Sequence, residues 1–282
     1  MIYESDAEIF LIHERGRAMA ELVIVRKSDG IASVLLNRPE AFNALDMDLV
    51  ESFAANIITL AADERVRGII ISGEGKAFCA GGDLKYALAF PQGPSAALHE
   101  LAARFHQAVL EIRRMPKPVI AAVNGIAAGG GFSLALACDF RIMAKSAKLR
   151  QVYTSSGLCS DGGGSFMLPR LVGLARAMEI MAFDRPISSE QALSWGLVTK
   201  VVEDGNALEE ATRMGLELAE GSMNSFGWSK RLLTDSFNSS FETHIERERR
   251  GIAGCAAHPE GAEGLRAFSE KRKPIFNPGK SL

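Results

Sequence analysis

The chain has 282 residues, 47% of them hydrophobic, with 32 basic and 34 acidic side chains and a formal net charge of −2. That length supports a large core, as one big domain or a domain with a smaller appendage, and the near-balanced charge gives no reason to propose a nucleic-acid partner. Cys79, Cys138, Cys159 and Cys255 show neither CxxC nor Cys/His spacing, which argues against a zinc site or a disulfide framework, and no apolar run is long enough to span a bilayer. The first residues include Glu4, Asp6, Glu8 and Glu14, too acidic for a transit peptide, and lack a signal-peptide apolar region. The ending Lys280-Ser281-Leu282 permutes the peroxisomal tripeptide without matching it. A cytoplasmic protein with reduced thiols, no metal and no membrane partner is the expectation.

In chain order, residues 1–20 have no clear period and read as a leader. Strand patterns over 22–25 and 32–36 flank Ser28-Asp29-Gly30, a hairpin signal. After the stop Asn37-Arg38-Pro39-Glu40, the apolar residues Leu49, Phe53, Ile57 and Leu60 recur at helical spacing over 48–63. A buried strand follows at 67–72, then a Gly73-Glu74-Gly75 turn and the glycine-rich stretch 76–84, leading into a helix. The break at 90–95 precedes a long helix from 96 to 115, ended by Pro116 and Pro118. The apolar run 119–123 is a buried strand; Asn124-Gly125 and three glycines at 129–131 lead into an apolar helix over 132–137. Strands at 140–143 and 147–149 come next. Helices are expected at 164–171, 174–182 and 189–195, the last capped by Ser188, then a strand at 198–202. From 207 to 268 the pattern is helical. The reading is an α/β core over 1–203 and a helical C-terminal region over 204–282.

Glycine runs between strands and helices let backbone amides approach a ligand closely. Gly129-Gly130-Gly131 is one such run. Gly162-Gly163-Gly164 is another, with a carboxylate, Asp161, at its head. Neither GxxxxGK[ST] nor GxGxxG occurs in them, which argues against phosphate cradling.

Six segments together resemble the enoyl-CoA hydratase/isomerase (crotonase) superfamily: LNRPEAFNALD (36–46), GKAFCAGGDLK (75–85), PKPVIAAVNGIAAGGGFSLALACDFRI (116–142), GLCSDGGGSFMLPRLVG (157–173), ISSEQALSWGLVTKVV (187–202) and EKRKPIF (270–276). The resemblance implies a spiral of ββα units with a helical C-terminal region used for trimer formation, as a homotrimer or a dimer of trimers. It implies chemistry on acyl-CoA thioesters, with coenzyme A arriving as part of the substrate and no separate cofactor. The implied oxyanion donors are the backbone N–H groups of Gly82 and Gly130. The implied coenzyme A contacts are Asn43, Ala44, Leu45, Gly82, Asp83 and Leu84, with Arg38, Lys271 and Lys273 as candidate phosphate ligands.

The chain departs from the hydratase pattern at two places. The two glutamates that hold and activate water are replaced by Ser133 and Tyr153. A serine takes no proton at neutral pH unaided, and a tyrosine with a pKa of about 10 is a poor base. Asp161 remains, in a stretch that looks closest to epoxyphenylacetyl-CoA isomerases; dehalogenases of the superfamily carry a nucleophilic aspartate there. A helix N-cap is the structural alternative for Asp161. Burial beside Tyr153, Leu158 and Phe166 would raise its basicity.

The resulting expectation is an isomerase using Asp161 as general base, with Tyr153 shaping the pocket or touching the acyl group. The alternatives are an Asp161 nucleophile in a hydrolase or dehalogenase, and a non-catalytic CoA-ester-binding oligomer. His99 and His106, seven apart, share a face of the long helix and read as polar positions on a partly exposed helix, with a site role as the alternative. Tyr86, Leu88 and Phe90 read as acyl-pocket or core residues. Trp195, Met178 and Met181 read as packing; Trp228 and Phe237 reach an acyl pocket or a subunit interface.

Overall fold

The computed structural model describes residues 21–277, so the leader expected over 1–20 and residues 278–282 lie outside the described residues. The described chain opens with an antiparallel hairpin of β1 (Val23–Ser28) and β2 (Ile31–Leu36), registered from Val23 opposite Leu36 to Ser28 opposite Ile31. Its two turn residues, Asp29 and Gly30, both take positive φ (53° and 80°), the hand that matches strand twist. Next, α1 (Met47–Ala62) starts where the Asp46 carboxylate accepts from the Leu49 amide, and it buries the four apolar residues at helical spacing.

The parallel strands β3 (Gly68–Gly73), β5 (Val119–Val123), β7 (Phe140–Ala144) and β10 (Lys200–Val202) extend the hairpin into a six-stranded sheet. Its order is β1-β2-β3-β5-β7-β10. A second sheet has the order β4 (Ala77–Cys79), β6 (Ile126–Ala128), β8 (Lys148–Arg150) and β9 (Ile187–Ser188), with only the last pair antiparallel. After the hairpin and α1, each of the next three turns gives one strand to the large sheet, the next to the small sheet, and then helix. Thus β3 and β4 precede α2 (Leu84–Ala89) and α3 (Pro94–Arg114); β5 and β6 precede α4 (Gly130–Ala137); β7 and β8 precede α5 (Gly164–Phe183). This is a spiral of ββα units.

Asparagines hold the strand-to-strand corners against one another. Asn124 Nδ2 donates to the carbonyls of Gly73 (2.9 Å) and Gly75 (3.1 Å), and Asn43 Nδ2 to those of Glu74 (3.0 Å) and Ala77 (2.8 Å). These bonds satisfy carbonyls that the change of sheet leaves without ladder partners. Every residue of α4 is buried, which accounts for a helix that is apolar or small all round.

Several boundaries differ from the sequence expectation. Strand β6 falls inside the glycine-rich stretch between strand and helix, where no strand was expected, because its pairing with β4 and β8 is entirely tertiary. The two helices expected at 164–171 and 174–182 run together as α5, broken at Gly173 (φ 76°, ψ 160°). The strand expected from 198 begins at Lys200, because the amides of Leu197 and Val198 bond to the Ala192 carbonyl and close α6 (Ser189–Ser194). Met178 is 62% exposed rather than packed, whereas Met181 lies against the core.

The helical stretch divides into α7 (Ala207–Ala219), α8 (Met223–Asp235), α9 (Phe241–Ala257) and α10 (Pro259–Ser269). The first of these lies directly on the large sheet: a Cβ on Gly215 would sit 3.4–3.7 Å from the tips of Ile31, Ile120 and Ile70. Ala207, Ala211 and Ala219 belong to the same core, so the division expected at 203/204 falls just before a helix of the core. Trp228 packs against Gly251 and Gly254 of α9 and does not line the cavity described below. Phe237 is exposed, with the Arg170 guanidinium 5.1 Å from its ring centre. No helix among the described residues is long and apolar enough to cross a membrane. All four cysteines are free, and burial pushes the thiols of Cys79 and Cys138 up to about 12, which keeps them protonated and unreactive.

Candidate active site

A cavity of about 330 Å³ opens where α3, α4 and the loop after β8 meet the start of α2. Leu45, Leu84, Leu98, Leu101, Phe105 and Leu158 supply apolar wall, and Gly81, Gly82, Gly129 and Gly130 supply backbone. The polar side chains that reach it are His99, Tyr153, Ser156, Cys159 and Asp161. Apolar walls with a few convergent polar groups suit a small organic ligand.

Two glycines bring peptide N–H groups together at this cavity. Leu45 and Gly82 form a bridge in which the Leu45 amide bonds to Gly81 O (2.8 Å) and the Asp83 amide to Leu45 O (2.9 Å). In that geometry the Gly82 N–H points away from Leu45. Gly130 is the first residue of α4, a position whose N–H has no acceptor within its own helix. A Cβ added to Gly130 would lie 3.8 Å from the Gly82 amide nitrogen, so the two amides are neighbours. The approach is possible because Gly129 adopts φ 51° and Gly81 φ 94°, conformations that a side chain disfavours.

On the facing side, Asp161 is bonded to Tyr153, and Tyr153 in turn to Ser133. The Tyr153 hydroxyl donates to Asp161 Oδ1 at 2.6 Å and lies 3.0 Å from Ser133 Oγ. Tyrosine has one hydroxyl proton, so Ser133 must be the donor in the second bond. The order is therefore Ser133 to Tyr153 to Asp161. Burial, and next the adjacent Asp161 charge, push the Tyr153 phenol well above its ordinary range, so it stays a protonated donor.

The N-cap alternative for Asp161 does not hold. Gly163 occupies the cap of α5 without a side-chain bond, and the Asp161 carboxylate turns to Tyr153 instead. Phe166 is not beside it either: that ring is exposed, faces away from this cavity, and lies 3.5 Å below the Arg170 guanidinium.

The tyrosine itself is anchored from below. Val152 is held at φ 47°, and its amide donates to Asp184 Oδ1 at 2.8 Å; Asp184 also accepts from Arg150 (3.1 Å) and from the Ser155 hydroxyl. Asp184 is buried and kept below the usual carboxylate range; burial opposes that shift, and the hydrogen bonds from Ser155 and Val152 and the Arg150 charge outweigh it. Gln151 Oε1 accepts from the Tyr153 amide at 3.0 Å.

Among the expected coenzyme A contacts, Leu45, Gly82 and Leu84 line the cavity, and Ala44 is next in chain. Asn43 is wholly buried, with its amide spent on the strand corner and its Oδ1 on the Arg38 N–H (2.9 Å). Arg38 donates to Ala44 O (2.7 Å) and pairs with Asp46 (3.0 Å) and Asp83 (3.3 Å). It therefore ties the starts of α1 and α2 to this loop with its charge already matched. Asp83 also caps α2. Lys271 and Lys273 are exposed beyond α10 and do not line the cavity. Tyr86, Leu88 and Phe90 lie outside its lining, with Leu88 at 75% exposure.

The reading of the α3 histidines as surface positions alone does not hold. His99 lines the cavity, and His106 Nε2 accepts the Gly162 amide at 3.0 Å, one residue beyond Asp161. Their seven-residue spacing was the available signal, since it puts both on one helix face.

The family described as enoyl-CoA hydratase/isomerase matches residues 26–279. The chain is 34% identical to the 1,2-epoxyphenylacetyl-CoA isomerase of Escherichia coli (strain K12), over 92% of this chain and 99% of that protein. It is 31% identical to 4-chlorobenzoyl coenzyme A dehalogenase-2 of Arthrobacter sp, over 88% and 91%. The crystal structure of an enoyl-CoA hydratase from Polaromonas sp. JS666 superposes with a TM-score of 0.86 at 34% identity, over 90% and 99% of the two chains. These three similar proteins carry three different activities.

Proposed function

The chain belongs to the enoyl-CoA hydratase/isomerase family, and from that premise we propose that it isomerises an acyl-CoA thioester by moving a double bond or rearranging a ring. The observation that carries this reading is the single carboxylate lining the cavity among the described residues, Asp161, held by Tyr153; by the family resemblance, Ser133 and Tyr153 stand at the positions of the two hydratase glutamates. The thioester oxygen takes the N–H groups of Gly82 and Gly130, which are fixed before the reaction starts and cost no reorganisation as charge develops. Asp161 removes a proton from the carbon next to the thioester carbonyl. The electrons move into the carbonyl oxygen as an enolate, and the carboxylic acid so formed returns the proton two carbons further along. One carboxylate serves both steps. Tyr153 holds Oδ1 and leaves Oδ2 for the substrate. Coenzyme A enters with the substrate, past Ala44, Leu45, Gly82 and Leu84, with Lys271 and Lys273 as phosphate candidates.

The test is a pair of assays on one preparation. Conversion of a 3-enoyl-CoA to the 2-enoyl-CoA is expected to proceed, while crotonyl-CoA in water gives little 3-hydroxybutyryl-CoA. Hydration approaching a median enzyme turnover of about 10 s⁻¹ would overturn the reading.

A second reading has Asp161 Oδ2 attack either the thioester carbon, expelling the coenzyme A thiolate, or a halogen-bearing aryl carbon, expelling halide; water then hydrolyses the adduct and frees the carboxylate. The dehalogenase relative favours it. A mixed anhydride or an aryl ester trapped on Asp161 and seen by mass spectrometry would establish it in place of proton transfer.

The assembly belongs to the same proposal. Phe241, Ile252, Leu265 and Phe268 on α9 and α10 are between 64% and 86% exposed, large apolar groups that a lone chain leaves in water. A trimer or a dimer of trimers is expected by sedimentation at micromolar concentration; a clean monomer would count against it.

A further inference from the structure

Asp161 sits on a turn that makes one bond to α3, and that bond comes from a histidine the proton-transfer chemistry does not use. The Gly162 amide donates to His106 Nε2 at 3.0 Å. Gly162 is buried and held at φ 57°, and a Cβ there would lie 2.5 Å from the Phe105 ring and 3.0 Å from Ser133 Cβ. The turn is thus pressed onto α3 and α4 with little slack. Its N–H lies on a buried residue and needs an acceptor, which His106 supplies. His106 is placed to do so because it follows Phe105 on α3, one residue round from the side chain that fills the space under Gly162. A second contact carries that hold to Asp161: the Gly164 amide donates to the Asp161 carbonyl at 3.0 Å and closes the turn on itself, so a tether at Gly162 also restrains Asp161.

We infer that His106 is a positioning residue for Asp161, acting through its Nε2 lone pair on the Gly162 amide. The inference rests on the isomerase reading for its kinetic readout, and on geometry alone for its structural one. To accept an N–H, Nε2 carries no proton, so His106 is the neutral tautomer with hydrogen on Nδ1. The same lone pair is then unavailable as a base unless the turn lets go. His106 therefore shapes the reaction by where it puts Asp161, without touching substrate.

Two variants separate this role from general support of the fold. Glutamine at 106 keeps an acceptor oxygen of similar reach; leucine keeps bulk and removes the acceptor. With His106→Leu, kcat for double-bond migration is expected to fall about 10²-fold, the scale of a misplacement of about 1 Å, with KM nearly unchanged. His106→Gln should restore most of the rate. Imidazole ¹⁵N spectra of the unmutated protein should show His106 with Nε2 unprotonated, and amide exchange at Gly162 should quicken in His106→Leu and stay slow in His106→Gln. Parent kcat with parent Gly162 protection in the leucine variant would overturn the inference, as would a proton on Nε2. If the unmutated protein itself fails to move a double bond, the isomerase reading falls, and the tautomer and the exchange rates still decide His106.

Discussion

Asp161→Asn is expected to lose double-bond migration by about 10²–10⁴-fold, the contribution of a positioned acid–base group, while affinity for an unreactive acyl-CoA stays close to that of the parent. Asparagine matches the carboxylate in shape and keeps an oxygen to accept the Tyr153 hydroxyl at the present 2.6 Å site. It caps no helix in either form, since α5 begins at Gly163 without a side-chain bond. What it lacks is a basic oxygen facing the substrate. The glycine amides are backbone and survive, so calorimetry should return nearly the same Kd. Unchanged turnover would remove Asp161 from the mechanism. Loss of affinity together with activity would make it a residue of the binding site's structure.

The second large effect concerns stability. Gly131→Ala is expected to cost about 3 kcal/mol, the upper part of the usual range for overpacking, because the new Cβ would fall 2.1 Å from the Cys79 carbonyl oxygen and 2.7 Å from its Cβ. Cys79 belongs to β4 in the buried sheet and cannot step aside as a flexible surface chain would. The contact is where α4 meets β4, the junction that sets Gly130 beside Gly82. Gly82→Ala is the control, since its Cβ meets nothing closer than Leu101 Cδ2 at 3.9 Å. Urea unfolding should show a clearly lower midpoint for the first variant and a midpoint near the parent's for the second. Equal midpoints would mean that the α4–β4 junction relaxes freely, and that the close approach is not what fixes the two amides.

Much of the framework is local, and the sequence carried it. The period of Leu49, Phe53, Ile57 and Leu60 gave α1, because apolar residues three or four apart on one helix face need no distant partner to be read. The apolar run at 119–123 gave β5, and Asp29-Gly30 gave the hairpin, since only residues tolerant of positive φ close a two-residue turn. The residue types at 133, 153 and 161 were also plain in the sequence, and with them the absence of two glutamates and the presence of one aspartate. Short β6 was not legible, because a three-residue strand has no period of its own and exists only through β4 and β8.

What the side chains at the site do was decided by the spiral. Ser133 and Tyr153 are twenty residues apart and Asp161 eight more, and nothing local makes their oxygens meet; they do so because successive ββα turns stack α4 against the loop after β8. The same stacking takes Asp161 away from the cap that its sequence neighbours offered. It spends Arg38 on Asp46 and Asp83, and it keeps Tyr86, Leu88 and Phe90 out of the cavity. It brings His106 to Gly162 across 56 positions. The sequence by itself determined the elements and the chemistry available, because backbone propensity and side-chain type are properties of single residues and short repeats. Only the tertiary structure decided which donor faces which acceptor, because a hydrogen bond requires two atoms within about 3 Å, and that distance between remote residues is set by how whole turns of the fold pack.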